Sequence, residues 1–284
     1  MRVVIDGTDI RDVPQESLRE KIGMVTQDTS LLHRSIRDNV LYGRPAASEA
    51  ELTRAIARAE ATDFVAELQD VMDATAKKSA DVFEQACKAA GNTSVETRLV
   101  GNEAADTVLL HARYSDLVII GQADRSPGQG RTTQGFVEQV LLGAGRPVII
   151  VPHSGKITSF GKRVLFAWDA SREAARAASD AMPILSNADV VEVVVINPAS
   201  SNEHGPQPGT DFALYLSRQG VNAEVRSVTS SMDVGNTLLS HAADFGADLM
   251  VMGAYGHSRL REWVLGGATQ TVLNTMTVPV LMTH

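Results

Sequence analysis

The amino-acid sequence predicts an α/β fold of parallel sheets with helices on both faces, and three observations carry the prediction. Apolar runs such as Leu117-Val118-Ile119-Ile120-Gly121 and Leu249-Met250-Val251-Met252-Gly253 are continuous rather than alternating, as expected of strands covered on both faces, and a helical pattern follows each. Asp116, Gly121 and Pro147 recur 132 residues later as Asp248, Gly253 and Pro279, each at the same point of a strand-loop-helix-strand unit, which points to a tandem duplication. With 284 residues, 44% hydrophobic and 21% charged, the chain has the length for about two domains with buried cores.

Residues 1–70 differ from the rest. Val3 to Ile10 reads as a short strand and turn, Ser17 to Lys21 as a helical turn and Ile22 to Asp28 as another strand; Ser48 is placed to cap a helix from Glu51 to Ala61. The order from Ile5-Asp6-Gly7-Thr8-Asp9-Ile10, through Ile22-Gly23-Met24-Val25-Thr26-Gln27, to Ser35-Ile36-Arg37-Asp38-Asn39-Val40-Leu41-Tyr42-Gly43 closely resembles part of the ATP-binding domain of ABC exporters. The resemblance places that family's Q-loop glutamine at Gln27. Hydrolysis by such a domain needs a P-loop, G-x-x-x-x-G-K-[ST], whose amides and lysine cradle the phosphates while the hydroxyl holds Mg²⁺. The chain has none: Gly155-Lys156 has Ile150 at the first glycine position and Ile157 at the hydroxyl position. The family's signature, Walker B acid and switch histidine have no counterpart after residue 70. The segment is therefore expected to be a relic or a fusion, not an ATPase, with a domain boundary near residue 70.

From Val71 to about residue 155 the pattern is that of a truncated α/β copy. A helix is expected over Val71 to Ala90, ended by Gly91, then a strand at Val95 to Val100 and a helix at Glu103 to Tyr114. The strand Asp116 to Gly121, a helix at Phe136 to Leu142 and a strand at Pro147 to Val151 complete it. The opening strand-helix-strand of a full copy is replaced by the ABC-like segment, so an unpaired strand edge is expected unless Val3 to Ile5 or Met24 to Thr26 fills it. No ligand is expected in this copy, because Asp124 stands where the second copy has Gly256 and would repel a phosphate.

Residues 160–284 read as a complete copy. Strands are expected at Arg163 to Trp168, Val190 to Ile196, Val221 to Val228 and Asp248 to Gly253, with helices at Arg172 to Leu185, Asp211 to Gln219 and Val234 to Phe245. Gly253-Ala254-Tyr255-Gly256 is followed by Gly266-Gly267-Ala268-Thr269 at the start of a further helix, and Pro279 to Met282 forms the last strand. Glycine lets backbone approach a ligand closely, and free amides at a helix start hold anions. The same glycines would equally serve as helix caps and corners.

The full pattern G-x2-G-x9-G, a hydroxyl residue three beyond the last glycine and a strand opening in Pro-Val resembles the nucleotide-binding end of the universal stress protein family. The resemblance covers about Val71 to His284. It implies tandem sheets of the adenine nucleotide alpha hydrolase-like type and a stress-response protein that binds ATP or a related adenine nucleotide, with Mg²⁺ as companion ion, instead of catalysing a reaction. It further implies that Asp169 meets the adenosine, that Val195 and Met252 line the base pocket, and that Gly253, Gly256, Gly266, Gly267, Ala268 and Thr269 hold the phosphates. ATP-binding members carry a hydroxyl residue where this chain has Gly267, which removes one donor. Asp169 serves equally as a plain helix cap. The family's habit implies a homodimer or an intrachain pairing of the two repeats. Two other functions stay open on these residues: an ABC exporter ATPase fragment, and a nucleotide-free interaction module.

Composition narrows the classes further. Net charge is −8, the pI is about 5.4 and there is no basic run, which argues against nucleic acid as a partner. No apolar run approaches the ~20 residues of a membrane helix and no signal-type segment opens the chain, so a cytoplasmic location is expected. The single Cys87 is read as packing. His257 and His284 are candidate bases and His111 and His241 candidate ligands, but no pair has metal-site spacing and no nucleophile stands beside a base, so structural roles are expected.

Overall fold

The structure is a computed structural model that describes residues 4–5, 8–9, 14, 36–41, 44–100, 104–123, 134–198, 209–255 and 267–284. The elements expected between Ser17 and Asp28, Gln27 with them, and the loop positions Asp124, Gly256, His257 and Gly266 lie outside these residues. The chain divides into two compact units, Met1–Gly101 and Asn102–His284.

In the first unit β1 (Val4–Ile5) pairs antiparallel with β2 (Thr8–Asp9) in a two-stranded sheet of its own, so Val4 and Ile5 do not fill the edge of the larger sheet. Helix α1 (Ile36–Leu41) is joined to α2 (Glu49–Arg58) by an Arg37–Glu49 ion pair. Ser48 caps α2 in a capping box: its side chain accepts from the Glu51 amide, and its own amide donates to the Glu51 carboxylate at 2.9 Å. That bond, first among several causes, holds the Glu51 pKa below the usual carboxylate value. The helix ends before Ala61, where Glu60 turns to φ 52°, a conformation unfavourable to a side-chain-bearing residue. Helix α3 (Thr62–Ala89) then runs for 28 residues, starting nine residues before the expected helix and passing through the expected boundary at residue 70 without a break.

The strand expected at Val95 to Val100 does not form. Its counterpart in the second unit is paired only with the strand before it, and among the described residues the first unit supplies no such neighbour. A lone strand has no ladder partner for its main-chain groups, so extended pairing is not favoured here; side chains of the segment bond Arg98 to Glu96 at 2.7 Å and Thr97 to Glu84 of α3.

The second unit is built on one seven-stranded sheet. It starts with α4 (Ala104–Ala112), β3 (Val118–Gly121), α5 (Gln134–Gly143) and β4 (Val148–Val151). There follow β5 (Arg163–Ala167), α6 (Arg172–Leu185), β6 (Val190–Ile196), α7 (Thr210–Arg218) and β7 (Ala223–Val228). The unit closes with α8 (Val234–Phe245), β8 (Leu249–Gly253), α9 (Gly267–Thr275) and β9 (Val280–Thr283). Spatial order is β3-β4-β9-β8-β5-β6-β7, and every neighbouring pair is parallel except β4 and β9.

That antiparallel seam is self-symmetric. Ile149 pairs with Leu281, 132 residues on, while Val148 pairs with Met282 and Ile150 with Val280. A local two-fold axis therefore passes through the Ile149–Leu281 pair and exchanges β3 and β4 with β8 and β9. Helices cover the two faces unequally. Side chains of α4, α5, α8 and α9 pack on one face, around Val140, Val148, Met250, Val272 and Met282. Among the described residues, α6 and α7 pack on the other, around Phe166, Leu185, Val193, Leu216 and Leu281. On that second face α6 lies over β8 and β9 and α7 over β7; among the described residues no helix packs over β3 there, and Ile119 is 63% exposed. Among the described residues, no helix is long and apolar enough to cross a membrane.

Candidate functional site

The strands β9-β8-β5-β6-β7 wind outward from β5 in both directions, so the strand order reverses between β5 and β8. The crevice outside the carboxyl ends of strands at such a reversal is where open α/β sheets bind ligands. β5 ends at Ala167, level with Val194 of β6 and Met252 of β8.

Asp169 lies two residues beyond that end and is half-buried. It is not the cap of α6: its Oδ1 accepts from the Ser171 amide at 3.0 Å, closing a turn through Ala170 at φ 62°, and Ser171 caps the helix by accepting from the Ala174 amide at 3.1 Å. The turn fixes one carboxylate oxygen of Asp169 at the mouth of the crevice.

Met252 is buried on the α8/α9 face of the sheet. Val195 is fully buried on the other face, where its Cγ2 lies 3.0 Å from where a Cβ on Gly209 would be. The two side chains therefore lie on opposite faces of the sheet, Met252 being level with Val194 and Val195 one alternation further on. Alternation of the ladder also turns the main chain of Val195 toward β7, where it is level with Ser227. Ile196 faces the β5 side instead, one step past the last β5–β6 bond, from Val194 to Trp168. Counting the alternation from a paired residue is what separates Ile196 from Val195.

Gly253 has a packing role. A Cβ there would stand 2.6 Å from the Ala174 nitrogen and 2.7 Å from the Glu173 carbonyl carbon, so glycine is required for β8 to lie against the first turn of α6. Glu173 is itself buried, with Oε1 paired to Arg172 and Oε2 without a hydrogen-bond partner among the described residues. Gly267, the first residue of α9, is exposed, and a Cβ there would meet nothing within 4 Å, so its main chain is open to approach. Ala268 is half-buried, its carbonyl against Gly235 of α8. Thr269 is buried, and its Oγ1 accepts from the Tyr255 amide at 3.4 Å, which joins the turn after β8 to the start of α9.

Tyr255 sits at φ 59°, and its ring meets the His284 ring edge-on at 6.2 Å. His284 Nδ1 lies within hydrogen-bond distance of the Ala254 carbonyl, at 3.1 Å. Burial, and after it the charge of Glu138, pushes the Tyr255 hydroxyl pKa well above the usual phenol value. His241 is also structural: its Nε2 is 2.6 Å from Oε2 of Glu192, a carboxylate buried in the middle of β6, with Arg226 at 3.9 Å from the other oxygen. Among the described residues no three His, Cys, Asp or Glu side chains gather as a metal site.

Comparison with known proteins agrees with this topology. The model of the universal stress protein family matches residues 161–284. Residues 161–284 form a universal stress protein domain. A universal stress protein from Archaeoglobus fulgidus DSM 4304 has a similar fold, with a TM-score of 0.58 and 18% identity over 75% of this chain and 79% of its own. The N-terminal part matches curated ABC proteins instead. It is 59% identical over 68 residues to an uncharacterized ABC transporter ATP-binding protein of Haemophilus influenzae, and 48% identical over 71 residues to the ATP-dependent lipid A-core flippase of Desulfotalea psychrophila. Those stretches are 24% and 25% of this chain but only 11% and 12% of the relatives, so the chain spans about a tenth of the curated relatives it matches. The universal stress protein domain thus stands in one chain with a short piece of ABC-type sequence.

Proposed function

We infer that the universal stress protein domain binds an adenine nucleotide, ATP with Mg²⁺ among them, and acts in stress response by binding rather than by catalysis. The observation that carries the reading is the gathering of Asp169, Ile196, Met252, Gly267 and Thr269 around the crevice between β5 and β8. Chemically the set fits. A carboxylate accepts from ribose or adenine, Met252 offers apolar surface beside the crevice, and the amides of the first turn of α9 favour anionic oxygens. Glu173, with an oxygen left over in the first turn of α6, adds a second carboxylate near the strand ends. In this reading residues 71–155 are a truncated copy and 160–284 a complete one, paired within the chain across the β4–β9 seam; residues 1–70 are an ABC-derived segment.

Titration calorimetry of ATP into the intact chain, with Mg²⁺ present, tests the reading. Saturable binding that weakens at least about tenfold in Asp169→Ala, the cost of a hydrogen bond to a charged group, is the expected result. Heat no larger than dilution overturns it and leaves an interaction module. The identity of the N-terminal part to ABC proteins favours one rival, an ATPase, for which steady phosphate release would be the sign; none is expected from a chain without a P-loop lysine.

A further inference from the structure

β7 is the last strand of the seven-stranded sheet, paired with β6 on one side and with no strand among the described residues on the other. The phase of its ladder fixes what the free side offers. The Val191 amide donates to the Asn222 carbonyl and the Asn197 amide to the Val228 carbonyl, both at 2.8 Å, so the even-numbered residues turn their main chain to β6. Ala223, Val225 and Ser227 therefore turn amide and carbonyl outward, a row of donors and acceptors along one edge. Proteins blunt such edges with proline, lysine, a bulge or a covering element. β7 has no proline or lysine, its register with β6 runs unbroken from Val191 and Ala223 to Ile196 and Val228, and Glu224 to Ser227 are all exposed. Its neighbour α7 turns its buried side chains, Phe212 and Leu216, toward Val191 and Val193 of β6, and Val225 stays 39% exposed. β3, the strand at the opposite end of the sheet, is four residues long and carries no charge.

We propose that β7 pairs with β7 of a second copy of this chain, antiparallel about a two-fold axis through Val225. The outward phase lets only odd-numbered residues face each other as hydrogen-bonded pairs, which sets Val225 opposite Val225 and Ala223 opposite Ser227. Between these lie the closer, non-hydrogen-bonded pairs, about 4.5 Å from Cα to Cα, and in this register each is Glu224 of one copy opposite Arg226 of the other. Opposite charges stabilise facing positions and like charges destabilise them. Sliding the register by two residues either way sets Glu224 against Glu224 or Arg226 against Arg226, and gives up a hydrogen-bonded pair as well. Charge and ladder thus favour the same register. Within one chain the Arg226 Nε lies 3.9 Å from Glu192, while Glu224 has no ion-pair partner among the described residues, so the second copy supplies the one it lacks. The contact is isologous and closes at two copies. It lies on the far side of β6 from the crevice and does not depend on the nucleotide reading.

Sedimentation equilibrium of the full chain tests the proposal, with thermal melting of each variant as the control for folding. The parent is expected to pass from monomer to dimer as its concentration rises. Glu224→Arg sets arginine opposite arginine at both close pairs, and Arg226→Glu sets glutamate opposite glutamate; each is expected to weaken dimerisation at least about tenfold. An equimolar mixture of these two variants has opposite charges at both places again, and is expected to dimerise as the parent does. Val225→Pro removes an outward donor without breaking a bond to β6, and is expected to weaken dimerisation at least about tenfold too. A parent that is still monomeric at about 1 mM overturns the proposal. So does a dimer indifferent to Glu224→Arg and Val225→Pro, which would mean that the copies meet elsewhere, and so does a mixture of folded variants that stays monomeric. If Arg226→Glu does not fold beside Glu192, the other two variants suffice: a lost dimer with unchanged melting supports the proposal, and a retained dimer overturns it.

Discussion

The two halves of the seven-stranded sheet share a spacing of 132 residues, yet their equivalent residues live in different surroundings. Asp248 accepts from the amides of Lys162 and Arg163 at 2.9 and 3.0 Å and so pins the start of β5 to β8; its equivalent Asp116 is exposed. Gly253 is pressed against the main chain of α6, whereas a Cβ on its equivalent Gly121 would meet nothing within 4 Å. Ile149, covered by the α6 face, is 3% exposed, while Ile119, its neighbour on the same face of β3, is 63% exposed. The difference teaches that the same local sequence makes the same strand and helix in both halves, and that the layer packed outside it decides what each residue does.

The largest contrast should come from the isoleucines. Ile149→Ala is expected to lower stability by about 4 kcal/mol and Ile119→Ala by less than about 0.5 kcal/mol, read by chemical denaturation; equal losses would mean that β3 is covered after all. The glycines come next. Gly253→Ala forces main chain against main chain and should cost about 2–3 kcal/mol, with Gly121→Ala costing at most about 0.5 kcal/mol; the comparison fails if the two variants melt together. In the first unit, Ser48→Ala removes the cap of α2 and should cost about 1 kcal/mol in helix content or denaturation midpoint, leaving the second unit's transition in place. The smallest effect is a gain. Ala123→Val partly fills the small cavity beside Ala123 at the end of β3, and should raise stability by about 0.5–1 kcal/mol, visible as a higher melting temperature.

Much of the fold was legible because it follows from local patterns. Continuous apolar strands and the Ser171 and Ser48 caps act over a few residues, and each is found in the structure. What failed depends on partners far away in sequence. Val95 to Val100 alternates as a strand does, but a strand forms only if another is beside it, and alternation cannot tell whether one is. The site was legible in outline and not in detail. Asp169 and Thr269 stand at the crevice, but Gly253, read as making room for a ligand, makes room for α6. Val195 and Ile196 differ only in which way each peptide faces, and that is settled by pairing.

The β4–β9 seam has a further consequence. Both of its sides belong to one polypeptide, so closing it is a unimolecular event whose equilibrium does not depend on how much protein is present. Two separate chains meeting along such a seam would come apart on dilution and would exchange partners. Here the strand that completes the sheet beyond β9 is always at hand, and it carries α5 with it. The second domain therefore keeps the same neighbour at every concentration of the protein.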